Sequence, residues 1–337
     1  MNRVRLFGLV RALAVCFGLI SLLALSGCSS IRVKMGSRVL IAQLPVATMQ
    51  ASQYNNPGIG PGEKKSLVVT FTQPDGTVLV TEGKGKGKIL WKDLKVDATV
   101  VSVNKKGVLS LPSDPRVSDG KTGHVTITVP SHPDLKAELD IPLRYNYAFA
   151  IGYSGSDGSK GLDGNSGQDG MSGSMGSMDP DNPSPGGNGS NGTSGSDGGN
   201  GGDGSDGPSV QVRVAVQAGS HPLLQIGVMA QGGSERFFLV DPQGGSLTVT
   251  STGGSGGKGG SGGSGGRGGS GGSGMPNGSS GSDGLKGNDG RDGSDGRGGS
   301  ITATYDPAVM PYLAAIHFSN PGGSKPVLTE APVPPLW

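Results

Sequence analysis

Cysteine is almost absent from this chain: 337 residues carry two, Cys16 and Cys28. Aromatic residues amount to 4% against 66 glycines, so one conventional hydrophobic core cannot run the whole length. No Gly-x-x-x-x-Gly-Lys-Ser/Thr phosphate loop occurs, which excludes P-loop nucleotide chemistry. Histidine is limited to His124, His132, His221 and His317. Two of these, in His132-Pro133-Asp134 and His221-Pro222, precede proline and read as turn residues. The serines have no partnered His and Asp in the order of a known hydrolase triad. Basic and acidic residues nearly balance, 28 against 26, so the electrostatic footprint of a nucleic-acid binder is missing and no such partner is expected.

The first thirty residues contain no acid. Arg3, Arg5 and Arg11 are interleaved with and precede the apolar run Ala12 to Leu25, a pattern that reads as a secretory leader and is too short for a comfortable bilayer span. The run ends in Leu25-Ser26-Gly27-Cys28, which resembles the lipobox of bacterial lipoproteins. That resemblance implies cleavage before Cys28, diacylglycerol on its thiol and an acyl chain (palmitate or similar) on its new amino group. Several acyl chains hold a protein stably at a membrane where one does not. With residues 1–27 removed, Cys28 is the sole thiol, which excludes an internal disulfide, thiol catalysis and a cysteine-rich metal site. Loss of the three leader arginines from 28 basic residues leaves 25 against 26 acidic ones, a net charge of −1. Ser29, with no aspartate after the lipidated cysteine, fits the outer rather than the inner membrane of a Gram-negative envelope.

Residues 28–62, with Asn56-Pro57-Gly58 and Pro61-Gly62, read as a mostly irregular tether. From 63 to 150 the pattern is β-branched and alternating: Leu67–Phe71, Thr77–Val80, Ile89–Trp91, Thr99–Val103, His124–Val129 and Ala137–Ile141. Six short strands punctuated by Pro74-Asp75-Gly76 and Ser118-Asp119-Gly120 predict a mainly β fold and an immunoglobulin-like sandwich, though without its Cys, Trp, Cys signature.

From Gly152 glycine recurs at every third position to Gly176, breaks over 177–185, and resumes from Gly186 to Gly207. A second pair of runs covers Gly253 to Gly274 and Gly278 to Gly299, with Met275-Pro276-Asn277 between them. The domain 151–306 therefore has two pairs of glycine arms (152–207 and 253–299) with strands at Val210–Val216, Leu224–Val228, Phe237–Leu239, Leu247–Val249 and Ile301–Tyr305, followed by a segment 307–337. Four readings compete. A flexible linker has no reason to hold one phase over eight triplets. Collagen-like Gly-X-Y triplets depend on proline, nearly missing here. A calcium β-roll requires an apolar position that Gly201 to Pro208 lacks. Polyglycine-II helices have three residues per turn and no internal hydrogen bonds, and glycine at every turn gives them a face where another backbone can approach. On that reading the third arm, Gly-Gly-x throughout, is central, with Lys258 and Arg267 on its decorated edge, and the first and fourth are outer. The order of strands and arms resembles the amino-terminal domain of the Obg GTPases and the glycine-rich domains of phage tail-tip adhesins and insect antifreeze proteins. The resemblance implies shape and carries no activity.

Catalytic and cofactor sites are not legible. The aspartates of the arms, among them Asp157, Asp163, Asp169, Asp283, Asp289, Asp292 and Asp295, read as solvated rows, with a weak divalent-cation site at Asp292 to Asp295 as the alternative. Lys84-Gly85-Lys86-Gly87-Lys88, with Lys64 and Lys65, reads as a solvated basic turn with anionic lipid or polysaccharide as its alternative contact. Met171, Met175, Met178 and Met275 fall at the two turns between arms, where they either cover the ends of the arms or form an adaptable contact tip. The expectation is a lipid-anchored, non-enzymatic envelope protein with an adhesive, structural or partner-binding role, its partner a protein or polysaccharide. The alternatives are an enzyme or accessory acting on envelope glycan, and a calcium-binding surface protein.

Overall fold

The computed structural model describes residues 38–337 apart from 218 and 220. The protein is mainly β, with several sheets, and divides at Tyr145 into two compact units. No helix among the described residues is long and apolar enough to cross a membrane.

The first unit contains β1 (Thr48–Gln53), β2 (Lys64–Thr72), β3 (Val78–Val80), β4 (Lys95–Thr99), β5 (Ser102–Val103), β6 (Val108–Ser110), β7 (Gly123–Val129) and β8 (His132–Ile141). One sheet runs β1-β2-β6-β5, with β3 also on β2, and a second runs β4-β7-β8. Alternation decides which side chains turn inward. Leu67, Val69 and Phe71 of β2 and Val125, Ile127 and Val129 of β7 are all buried in one shared cluster.

Several expectations are corrected here. The tether expected over 28–62 is folded from residue 38: it supplies β1 and puts Ile41, Met49 and Ile59 into the core. Ile89–Trp91 is no strand but an isolated bridge at Ile89 leading into a 3-10 turn, Trp91–Asp93. All three apolar side chains are buried there, and a run buried throughout has no periodicity to separate strand from turn. Gly107, at a φ of 71°, lets the chain close on Trp91, because a Cβ at that position would lie inside the indole ring's contact distance. Thr99–Val103 is broken at Val100, whose φ of 67° makes a tight turn with the Val101 N–H donating to the Thr99 carbonyl at 2.7 Å. A β-branched residue is strained in that conformation, and here the chain passes from one sheet to the other. His132 opens β8 instead of forming a turn, and its ring Nε2 lies 3.0 Å from the Leu44 carbonyl.

The second unit begins at Asn146 and includes residues 307–337, so neither the boundary at 150 nor a separate C-terminal segment holds. Its strands are β9 (Ala148–Ser154), β10 (Val210–Gln217), β11 (Leu223–Ala230), β12 (Arg236–Val240), β13 (Ser246–Thr252), β14 (Ile301–Tyr305), β15 (Ile316–Ser319) and β16 (Val327–Glu330). They form sheets ordered β12-β11-β10-β14-β16 and β15-β13-β9. Val210, Val212 and Val214 of β10 are buried with Leu247 and Val249 of β13 in one cluster, while Gln211 and Arg213 face out.

Two strand pairs fix everything beyond them. β9 and β13 are parallel, from Ala148↔Ser246 to Thr252 opposite Ser154, and lead directly into the first and third glycine-rich segments. β10 and β14 are also parallel, from Val210↔Ile301, and receive the second and fourth. Parallel neighbours need a long crossover between them. Here each crossover contains a whole out-and-back pair of glycine-rich segments.

Candidate functional site

The four segments are neither helix nor strand, and their peptide groups bond from one segment to the next. N–H groups of the first arm, at every third residue from Gly155 to Gly176, donate to third-arm carbonyls from Thr252 to Ser273 at 2.7 to 2.9 Å. The second arm donates to the first, as in Ser196 N–H to Asn165 O, and to the fourth, as in Gly198 N–H to Asn288 O, both 2.9 Å. The third donates to the second (Gly263 to Ser196, 2.9 Å) and the fourth to the third (Gly287 to Gly263, 2.9 Å). The second and third arms thus each bond to three others, while the first and fourth each bond to two.

Glycine sits where backbone meets backbone. A Cβ on Gly158, Gly198 or Gly263 would come under 3.0 Å from a neighbouring carbonyl, a distance no real Cβ tolerates. The same holds at the successive third positions of every arm.

The aspartates are not solvated rows. In the turn Ser255-Gly256-Gly257 the three N–H groups go to three arms: Ser255 to Asp157 Oδ1 at 2.8 Å, Gly256 to Asp295 Oδ1 at 2.8 Å, and Gly257 to the Gly202 carbonyl at 2.8 Å. Two turns later Ser261 donates to Asp163 and Gly262 to Asp289; two turns further on Arg267 donates to Asp169 and Gly268 to Asp283. Asp292, for which a weak cation site was the alternative reading, accepts from Gly259. The second arm serves the fourth in the same way through Asn188, Asn191, Ser194, Asp197, Asn200, Asp203 and Asp206. Many N–H groups that no backbone carbonyl reaches therefore meet a short side-chain acceptor on a neighbouring arm, at alternate turns of the third arm and at successive turns of the fourth. Sequence reasoning missed this, although a signal was present: Asp, Asn or Ser repeats at one fixed phase of the triplet.

The charges follow. The Ser261 N–H and then the Lys160 ammonium, 3.2 Å away, hold the Asp163 carboxyl below the ordinary carboxylate range. Lys286 at 2.8 Å and then the Gly262 N–H do the same for Asp289.

Register is continuous from sheet to arm. The β9 to β13 offset of 98 residues reappears in the Asp157, Asp163 and Asp169 bonds, and the β10 to β14 offset of 91 in every bond from Asn188 to Asp206. At the root Ser251, fully buried, donates to the Pro208 carbonyl at 2.7 Å and accepts from Gly299 at 3.2 Å.

At the other end the turns 177–185 and 275–277 meet: Met275 N–H donates to Ser184 O and Gly186 N–H to Pro276 O, both 2.9 Å. The methionines at and just before these turns have open side chains, with Met171, Met175, Met178 and Met275 exposed by 82, 86, 61 and 50%. Met171 and Met175 cover little of the arms, whereas Met178 and Met275 keep part of their surface against the turns.

The histidines stay apart. His124 is 2.7 Å from Asp140 and 3.3 Å from Thr126 Oγ1, the outline of a nucleophile, base and acid. The His124 and Asp140 side chains are exposed on the β4-β7-β8 sheet, and the strand N–H groups needed for an oxyanion hole belong to the ladder. His221 pairs with Asp241 at 2.9 Å. Among the described residues no group of three or more His, Cys, Asp or Glu could hold a metal ion. Cys28 and the residues before it lie outside the described residues. No protein-family model and no curated protein matches the chain.

Proposed function

We propose that the chain is a lipid-anchored cell-envelope protein, tethered through Cys28, whose glycine-rich part is a rigid, non-catalytic blade that meets a protein or polysaccharide partner at its methionine-bearing turns. We read the four arms as polyglycine-II helices and the two sheets of residues 38–145 as an immunoglobulin-like sandwich. The observation that carries the reading is the pairing of a backbone lattice closed at nearly every turn with apolar side chains left exposed at its far end. Arms of about 22 residues at ~3.1 Å each would set those turns ~65 to 70 Å from the strands. Methionine suits a contact that has to adapt to its partner.

Two measurements test it. Cells fed an alkyne-bearing fatty acid should label the protein, and Cys28→Ala should abolish the label and leave uncleaved precursor; label on the variant overturns the anchor. Serine at Met171, Met175, Met178 and Met275 together should leave the melting temperature unchanged while removing crosslinks formed in whole envelopes by a photoreactive residue placed at 181, in the same turn. A drop in melting temperature would return these side chains to a covering role.

A further inference from the structure

We propose that a basic depression on the first unit is a docking surface for anionic phospholipid headgroups, a second membrane contact beside the acyl anchor; the membrane as its partner rests on the Cys28 reading. The depression holds about 360 Å³ and is lined by Tyr54, Asn55, Asn56 and the cations Lys64, Lys65, Lys84 and Arg144, against the single carboxylate Glu63.

The cations are built into place. Arg144 packs its aliphatic stem against Gly58, where any Cβ would collide with it. Its guanidinium lies 3.7 Å from Glu63, and its Nε has no hydrogen-bond partner among the described residues. Lys65 Nζ donates to the Asn56 carbonyl at 3.2 Å, and Lys84 Nζ lies 5.8 Å from the centre of the Tyr54 ring. Gly85 and Gly87 let the lysine turn lie flat on β3, since a Cβ at either would strike Val80. Lys64 and Lys84 are exposed, with no carboxylate within ion-pair distance among the described residues. Such a cluster attracts a surface of phosphate esters over roughly a Debye length, about 8 Å at physiological salt.

The chain path makes the membrane the occupant. Arg38, ten residues after Cys28, pairs with Glu82 at 3.3 Å, and Val39 N–H donates to the Lys88 carbonyl at 2.9 Å. The lipid-bearing end therefore enters on the same turn that carries Lys84. Ten residues reach at most about 35 Å, so this face cannot stray far from headgroups once Cys28 is anchored.

The test is hydrogen exchange on the full lipidated protein in vesicles of phosphatidylcholine alone and of phosphatidylcholine with a minority of phosphatidylglycerol. Amides of Asn55, Asn56 and Gly83 to Lys86 should exchange several-fold more slowly with phosphatidylglycerol, and molar salt should remove the difference. Lys64→Glu with Lys84→Glu should abolish it, whereas Lys105→Glu with Lys106→Glu, the same charge change elsewhere on the unit, should not. Association with both vesicles but no phosphatidylglycerol effect overturns this inference and leaves the anchor standing, as does protection by an added anionic polysaccharide alone. Failure to associate with any vesicle overturns the anchor reading. The face is then judged with monomeric dihexanoyl phosphatidylglycerol in solution, where slowing at the same amides supports it and none overturns it.

Discussion

Residues 38–145 and the glycine-rich arms solve one problem by opposite means. In the first, side chains are the adhesive: Leu67, Val69, Phe71, Val125 and Ile127 leave water together, and the backbone pairs in strands around them. In the arms, side chains are excluded from the contact, and peptide groups bond directly to peptide groups in neighbouring segments. Ordering a backbone costs about 1 to 2 kcal/mol per residue, and one net hydrogen bond returns about 0.5 to 1.5. An arm with no core can therefore hold only if the donors that face other arms are widely bonded, which explains why Asp, Asn and Ser are placed to accept N–H groups that backbone carbonyls do not reach. The two regions should respond to substitution with opposite sign: residues 38–145 suffer from smaller side chains and the arms from larger ones.

The sharpest way to break this contrast is a pair of substitutions read by segment-resolved hydrogen exchange. Phe71→Ala should cost about 3 to 5 kcal/mol, raising exchange across residues 38–145 and sparing the arms. Gly263→Ala puts a methyl into the Asn165 carbonyl and should cost about 1 to 3 kcal/mol or more, raising exchange across 152–207 and 253–299 while sparing the first unit. If Gly263→Ala leaves arm exchange unchanged, the backbone lattice is not what holds the arms.

The same contrast governs what could be read in advance. Strands such as Val210–Val216 and His124–Val129 announce themselves because one face is buried and the other is wet, which writes a period of two into the residues. β1 and β4 were illegible: Thr48-Met49-Gln50-Ala51-Ser52-Gln53 and Lys95-Val96-Asp97-Ala98-Thr99 hold few apolar residues, and their places are fixed by partners far along the chain. In the arms the glycine phase is local and visible, but register is not, because a slip of three residues leaves every glycine in phase. The sheets remove that degeneracy. An odd slip would turn Val210, Val212 and Val214 out of the core, so the offsets of 98 and 91 are set at the strands and inherited by the arms. The turn methionines were legible as a cluster, but their exposure required the structure.

A smaller effect tests the side-chain acceptors of the arms by pH. Asp163 and Asp289 have carboxyl pKa values held below the ordinary range, near 3.9 for an unfolded aspartate. A lowered folded pKa contributes stability that is fully present above the unfolded value and is lost as pH falls through the folded one. Arm exchange, corrected for its intrinsic rate, should therefore accelerate as pH drops below about 4. Asp163→Asn with Asp289→Asn should flatten that slope while keeping an oxygen for the Ser261 and Gly262 N–H groups. An unchanged slope in the double variant would mean that other groups carry the acid response.

The smallest effect discriminates most finely, because it sets two adjacent glycines against each other. Gly198 is a period-three glycine whose Cβ would fall under 3.0 Å from the Gly260 carbonyl, so Gly198→Ser should loosen the arms as Gly263→Ala does. Gly199 occupies the next phase, where other turns of the same arm carry Ser190, Thr193, Ser196 and Ser205. Their hydroxyl oxygens accept the N–H groups of Met171, Gln168, Asn165 and Ser156 at 2.7 to 2.8 Å. At Gly199 the matching donor, Leu162 N–H, has no such side chain to meet, and a Cβ there would lie 3.2 Å from that nitrogen, a contact relieved by a few tenths of an ångström. Serine would supply the missing acceptor and also restrict the unfolded chain, and removing a glycine's freedom contributes about 0.4 to 1 kcal/mol where the native conformation suits the new residue. Gly199→Ser should therefore slow exchange at Leu162 and raise arm stability by about 0.5 to 1 kcal/mol, the reverse of its neighbour. If both substitutions loosen the arms equally, triplet phase does not decide where a side chain is allowed, and the glycines serve flexibility instead of close approach.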